Sequence, residues 1–175
     1  KHEAGEPTTL AQYRNRHACY RLDKDLQASH AAFPWIVTWD DHEVDNDYAN
    51  DRDPRYSDPA LFLRRRAAAY QAYFEHMPLP WSMAPQGHSM RIYGAFDWGA
   101  LARLITLDDR QYRDPQVCPK PGRGGSNTVL LKDCPELLDP RRGLLGAAQE
   151  QWLARSWRSV APKRLTRMMD VAAEF

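Results

Sequence analysis

Trp35-Ile36-Val37-Thr38-Trp39-Asp40-Asp41-His42-Glu43-Val44-Asp45-Asn46-Asp47-Tyr48 decides how the chain is read. Five β-branched or aromatic residues, Trp35 to Trp39, follow Pro34 and stop at a run of acids, a pattern that predicts a buried strand. Seven acidic residues then fall between Asp40 and Pro54 (Asp40, Asp41, Glu43, Asp45, Asp47, Asp51 and Asp53), almost without apolar periodicity, which predicts a charged loop. In an α/β fold, a loop at a strand's carboxyl end is a common place for a ligand site. Carboxylate oxygens also suit hard cations such as Ca²⁺ and Fe³⁺. So many like charges repel one another, so an ordered loop requires hydrogen bonds, cationic side chains or metal. The loop has neither the glycine turn and terminal Glu of an EF-hand nor the paired histidines of an HExxH zinc site, so His42 must work with groups from elsewhere.

On the amino-terminal side, the caps Thr8-Thr9 and the spacing of Leu10, Tyr13, His17, Tyr20 and Leu22 predict a helix over 9–22 with a core-facing apolar stripe. A second helix is predicted from Leu26 to Ala32, capped by Asp25 and ended by Pro34. On the carboxyl side, Ser57 or Asp58 caps a helix with Pro59 in its first turn that runs to about Met77, with Arg64, Arg65 and Arg66 placed on its exposed side. Met90–Phe96 and Ala102–Leu107 read as a hairpin turning at Asp97-Trp98-Gly99. The stretch from Asp108 to Gly143 reads as a long irregular connection. Leu145–Trp157 is predicted as a helix whose inner face carries Ala148, Trp152, Leu153 and Ser156. No strand is predicted after Pro162.

The 175 residues suffice for one core. Twenty-four basic and 23 acidic residues give a net charge of +1, which excludes a polycation seeking nucleic acid. The charge is uneven along the chain. Residues 1–57 carry 7 basic and 11 acidic side chains, and residues 110–175 carry 12 and 7. Where those regions meet, a cation site could adjoin an anion-binding wall, although solvated surface charge is the commoner explanation. No run reaches the roughly 18 apolar residues of a membrane span, and the first residues lack the apolar core of a signal peptide, so a soluble chain without a transmembrane segment is expected. Cys19, Cys118 and Cys134 allow at most one internal disulfide and form no CxxC knuckle. The basic last third has no recognised nucleic-acid motif, so no specific nucleic-acid partner is expected.

The acidic loop, Trp39-Asp40-Asp41-His42-Glu43-Val44-Asp45-Asn46-Asp47, resembles the WDDHE signature of the PhoD-like (alkaline phosphatase D) metallophosphatase family. Leu26 to Trp35, Glu75-His76-Met77-Pro78-Leu79, Asp108-Asp109-Arg110-Gln111-Tyr112-Arg113 and Leu145 to Leu153 resemble further family segments in the same order, covering about 13–157.

The resemblance implies a hydrolase of phosphate mono- or diesters, with a phosphate ester as substrate, Ca²⁺ and Fe³⁺ as cofactors, and a periplasmic or extracellular location. The fold it implies is an α/β two-sheet sandwich flanked by helices, of which 1–175 would be an incomplete part with a divergent tail at 158–175. By position it makes His42 the group that contacts phosphate and protonates the leaving group, Asp41 a metal ligand and Asp40 a weaker one. Glu43 is placed beside His42 to orient it or keep it charged, with a solvent-facing Glu as the equal alternative. Asn46 is expected to hold the loop backbone. Asp108 and Arg110 are placed in the supporting shell or at the phosphate, with ion pairing inside the scaffold the commoner role for Arg110. Asp109 stands where the family often has Thr. The family's other metal motifs lie outside this chain, so little activity is expected of it alone. The competing expectation is a non-catalytic cation-binding or structural module.

Overall fold

The computed structural model describes residues 5–55, 57–120, 128–158 and, by backbone alone, 165–169. Helix α1 (Leu10–Arg21) begins at Thr9, whose hydroxyl and the Gln12 side chain form a reciprocal capping box. Of its predicted apolar stripe only Tyr13 is buried; Tyr20 and Leu22 are exposed. Helix α2 (Lys24–Ala32) is capped by Asp23 rather than Asp25, because the Asp23 carboxylate is the one that accepts from the Leu26 amide, 2.9 Å away. Helix α3 (Pro59–His76) is capped by Asp58 with Pro59 in its first turn. It packs along α1.

The predicted strand 35–39 is corrected. The segment is extended, yet it joins no ladder among the described residues, and Trp35 and Ile36 are exposed. Its residue types suit a strand, but it is held by side chains: Trp35 stacks on His30 at 4.1 Å, Val37 packs against the core, and the end is fixed most firmly. The Thr38 hydroxyl donates to the Leu107 carbonyl (3.0 Å), the Tyr73 hydroxyl donates to the Thr38 carbonyl (2.9 Å), and Trp39 is buried. The indole of Trp39 stacks on Tyr70 at 4.2 Å and meets Tyr73 edge-on. With Tyr13, Val44, Tyr48, Phe62, Met90 and Ile92, this aromatic stack forms the main core. The charged loop therefore begins from a fixed point.

Strands β1 (Gly94–Trp98) and β2 (Ala102–Thr106) form the expected hairpin. Asp97 and Trp98 lie in β1, and Gly99 supplies a positive φ in the turn. A further strand, β3 (Leu165–Met169), pairs parallel to β2, contrary to the reading of the tail as strandless. Its Leu-Thr-Arg-Met-Met sequence lacks both alternation and a β-branched run, so the periodic signal is weak. The sheet order is β1-β2-β3. A two-sheet sandwich is not seen among the described residues; the architecture is helices with one small mixed sheet.

Helix α4 (Gly146–Arg158) lies on the crossover to β3. Gly146 has φ +70°, and a Cβ there would sit 3.0 Å from the Tyr112 Cβ, so glycine is needed both for the turn and for the close approach. The inward face of α4 carries Gln149, while Ala148, predicted inward, is exposed. The irregular stretch after β2 holds two short 3₁₀ turns and a Cys118–Cys134 disulfide.

Candidate functional site

The acidic loop opens as a turn. The Asp41 carbonyl accepts from the amides of Val44 and Asp45 (2.8 and 2.9 Å), and the Glu43 carboxylate reaches back to the Asp40 amide (2.8 Å). Glu43 therefore closes the turn and acts on His42 through its charge, without a hydrogen bond to it. Burial pushes its carboxyl pKa up, against the pull of the amides it accepts from. The φ of +57° at Asp47 turns the chain so that its amide donates to the Asp41 carboxylate at 2.5 Å.

Arginines from other elements hold the rest. Arg65 and Arg66 of α3 are buried, which corrects their placement on the exposed side of the helix. Arg65 pairs with Asp45 at 2.5 Å and donates to the Tyr13 hydroxyl (2.9 Å) and the Pro7 carbonyl (3.1 Å). Arg66 donates to the carbonyls of His88 (3.0 Å) and Asn50 (2.6 Å). Helix periodicity could not show this, because these side chains turn inward to meet acids and carbonyls remote in sequence. Tyr13 in turn donates to the Val44 carbonyl, tying α1 to the loop.

The segment after β2 forms the opposite wall. Asp108 is fully buried, and its carboxylate accepts from the amides of Arg110 (3.1 Å) and Gln111 (2.9 Å) and from the Gln111 side chain (2.9 Å). Burial raises its pKa, while those donors and the nearby Trp39 indole oppose the rise. The Trp39 indole nitrogen nevertheless lies outside strict hydrogen-bond geometry. This makes Asp108 an internal brace. The Arg110 guanidinium, itself buried, places Nε 2.7 Å from the Asp40 carboxylate and stands 3.7 Å from Asp41. The acid-rich early segment and the base-rich late one thus meet at Asp40 and Arg110.

Two glutamines that sequence reasoning missed lock this wall. The Gln149 side chain accepts from the Asp108 amide (2.8 Å) and donates to its carbonyl (2.7 Å). Gln111 makes the same two-pronged contact with the Met90 backbone, accepting at 3.1 Å and donating at 2.8 Å. The only hint in sequence is a lone amide at a helical core position.

His42 is exposed, and its Nε2 lies 2.8 Å from the Asn46 side-chain oxygen. The Asn46 amide nitrogen donates to the Asp47 carboxylate at 2.8 Å. Asn46 therefore holds side chains, where the sequence reading had it holding loop backbone. Its hydrogen bond, and then the charges of Asp41, Asp40 and Glu43, raise the His42 pKa above the ordinary imidazole value, against some opposing desolvation.

The oxygen donors fit a hard cation in kind, but not in number. Among the described residues the loop brings no three ligand groups together, and one Asp40 oxygen is taken by Arg110. Among the described residues the triad with convergent ligand atoms, Cys118, Cys134 and Glu136, contains the disulfide, whose sulfurs are not thiolates.

A PhoD-like phosphatase family model matches residues 1–164. The chain belongs to the PhoD-like phosphatase family. It is 51% identical over 152 residues to alkaline phosphatase D of Bacillus subtilis strain 168, covering 87% of this chain and 25% of that protein. A solved structure titled "Structure of PhoD" superposes with a TM-score of 0.84 at 45% identity, over 96% of this chain and 30% of the other. The chain thus spans a quarter to a third of the length of these relatives.

Proposed function

We propose that this chain supplies the leaving-group acid and one metal ligand of a phosphoric ester hydrolase of the alkaline phosphatase D type. The observation that carries the reading is His42: an exposed imidazole, fixed by Asn46 and surrounded by three carboxylates that favour its charged form.

An alkoxide leaves a phosphoryl group poorly unless it is protonated, and an imidazolium at the rim of the site can donate that proton. Asn46 fixes the ring, so the proton is held in a defined direction. Asp41 is the ligand of this chain. Asp40 is the weaker one, because Arg110 neutralises it. Asp108 and Arg110 position the wall and do not contact phosphate. Ca²⁺ and Fe³⁺, when bound, supply positive charge toward the phosphoryl oxygens, with further ligands from outside this chain. The Cys118–Cys134 disulfide supports a periplasmic or extracellular location, since such bonds persist in oxidising compartments.

The test grafts this chain in place of the matching segment of Bacillus subtilis alkaline phosphatase D and assays an aryl phosphate and an alkyl phosphate with Ca²⁺ and Fe³⁺ supplied. The graft is expected to be active, and His42→Ala to lose about 10²–10⁴-fold, most severely on the alkyl ester with its poorer leaving group. Equal activity with and without His42 overturns the reading. A second reading for the chain by itself is a non-catalytic cation-binding or structural module, supported by the lack, among the described residues, of the convergent ligand set that turnover at a metal centre needs. Absence of turnover by the ungrafted chain, with Ca²⁺ still bound, is its signature.

A further inference from the structure

Helix α4 has two faces, and the fold uses one. Gln149 clamps Asp108, Trp152 packs against Tyr93 with ring centroids 4.9 Å apart, and the Ser156 carbonyl accepts from Arg103. Adjoining that face and running round to the far side, the part-buried Leu153 and then Trp157, Glu150, Ala154 and Arg158 form a stripe along the helix that lines an open, apolar-walled cavity of about 530 Å³. Trp157 is 54% exposed. Neither Glu150 nor Arg158 has an ion-pair partner among the described residues.

The order of residues along this stripe is self-complementary. Acid and base stand two turns apart, with Ala154 midway between them and the two large apolar side chains, Leu153 and Trp157, beside it. We propose that this face docks a second copy of the chain, α4 against α4, antiparallel about a two-fold axis at Ala154. A two-fold contact presents the same patch twice, so a residue four positions before the axis meets one four positions after it. Glu150 then lies opposite the partner's Arg158, and Arg158 opposite the partner's Glu150. Ala154 lets the helices approach closely, and Leu153 and Trp157 of both copies fill the centre. No other pairing of this stripe with itself satisfies both charges: a parallel arrangement sets like charge against like. The inference is independent of the phosphatase reading, since none of the five residues belongs to the candidate site.

A 13-residue helix is only about 20 Å long, so the contact is smaller than a standard interface and the dimer is weak and reversible. The test is sedimentation equilibrium of the 175-residue chain from about 5 to 300 µM. A reversible monomer–dimer equilibrium is expected. Glu150→Arg and Arg158→Glu should each weaken it at least tenfold. An equimolar mixture of the two variants should form a heterodimer as tight as the parent dimer, since each then supplies what the other lacks. Leu153→Glu should be monomeric throughout, with an unchanged circular dichroism spectrum showing that it is folded. A parent chain that stays monomeric at 300 µM, a dimer indifferent to both charge reversals, or a mixture that fails to pair would each overturn the proposal.

Discussion

Replacing Gln149 with Leu keeps the volume of the side chain and removes both prongs that hold Asp108. The Asp108 amide and carbonyl, at a residue with 0% exposure, then lose, away from solvent, the partners at 2.8 and 2.7 Å. Each orphaned buried group costs about 1–3 kcal/mol. The apolar leucine returns part of this, so a net loss of about 3 kcal/mol is expected. The consequence is mechanical as well as energetic, because Asp108 organises the amides of Arg110 and Gln111, and Arg110 neutralises Asp40. The assay is urea unfolding followed by tryptophan fluorescence, with Trp39 as the buried reporter. For a slope of about 2 kcal/mol per molar, typical of a domain this size, the midpoint should fall by roughly 1.5 M with the slope unchanged. Amide exchange at Asp108 should accelerate in parallel. A midpoint shift below about 0.3 M would falsify the view that this clamp, and not general packing, holds α4 to the site.

Burial pushes the His17 pKa down to about 4, with the neighbouring His76 and Arg21 adding to the effect. The folded value lies below the unfolded one, so unfolding takes up a proton and stability falls as pH drops from about 6.5 toward 4. Because the ring is only part-buried, solvent screening limits the loss to about 1–2 kcal/mol; urea midpoints across that range should show it, and His17→Leu should flatten the slope. Arg110→Met leaves Asp40 and Asp41 without their cation and should destabilise the chain by about 1–3 kcal/mol. Millimolar Ca²⁺ should then raise the melting temperature of this variant more than that of the parent, and equal shifts would refute the charge argument. Tyr13→Phe removes a donor to the Val44 carbonyl and an acceptor for Arg65, and should cost about 1–2 kcal/mol with faster amide exchange confined to the loop and α1.

The legible parts of the fold were those written in local rules. Thr9, Asp58 with Pro59, and Gly99 act through hydrogen bonds or dihedrals within a few residues, so α1, α3 and the hairpin could be read from spacing. The strand at 35–39 failed because a strand exists only through its neighbour, and residue types do not show whether that neighbour is present. β3 failed for the opposite reason: β2 supplies the pairing that its own pattern does not announce. At the site, the WDDHE resemblance singled out His42 and Asp41. It could not show that Glu43 turns back onto its own loop, or that Asp108 faces inward. The Glu43 turn depends on accepting from the Asp40 amide three residues back, and the inward set of Asp108 on Gln111 and Gln149, 3 and 41 residues away.

The seven acids of the loop pose a physical problem that the fold solves without an ion. Asp40 is paired with Arg110, Asp45 with Arg65 and Arg55, Asp53 with Arg55, and Asp51 with Arg52. Glu43 accepts from the Asp40 amide and Asp47 from the Asn46 side chain. Repulsion that had seemed to call for metal is thus offset largely by four guanidinium groups: Arg65 from α3, Arg110 from the segment after β2, and Arg52 and Arg55 from the loop and its end. The exception is Asp41. Its one oxygen takes a backbone amide, while the other has only a guanidinium 3.7 Å away, beyond hydrogen-bonding reach. It is also next to His42, the loop's exposed titratable base. Compensation is therefore weakest at the two residues assigned a part in the chemistry. A scaffold built this way holds its acids rigid before any ligand arrives and leaves uncommitted oxygen where a cation could bind with little rearrangement.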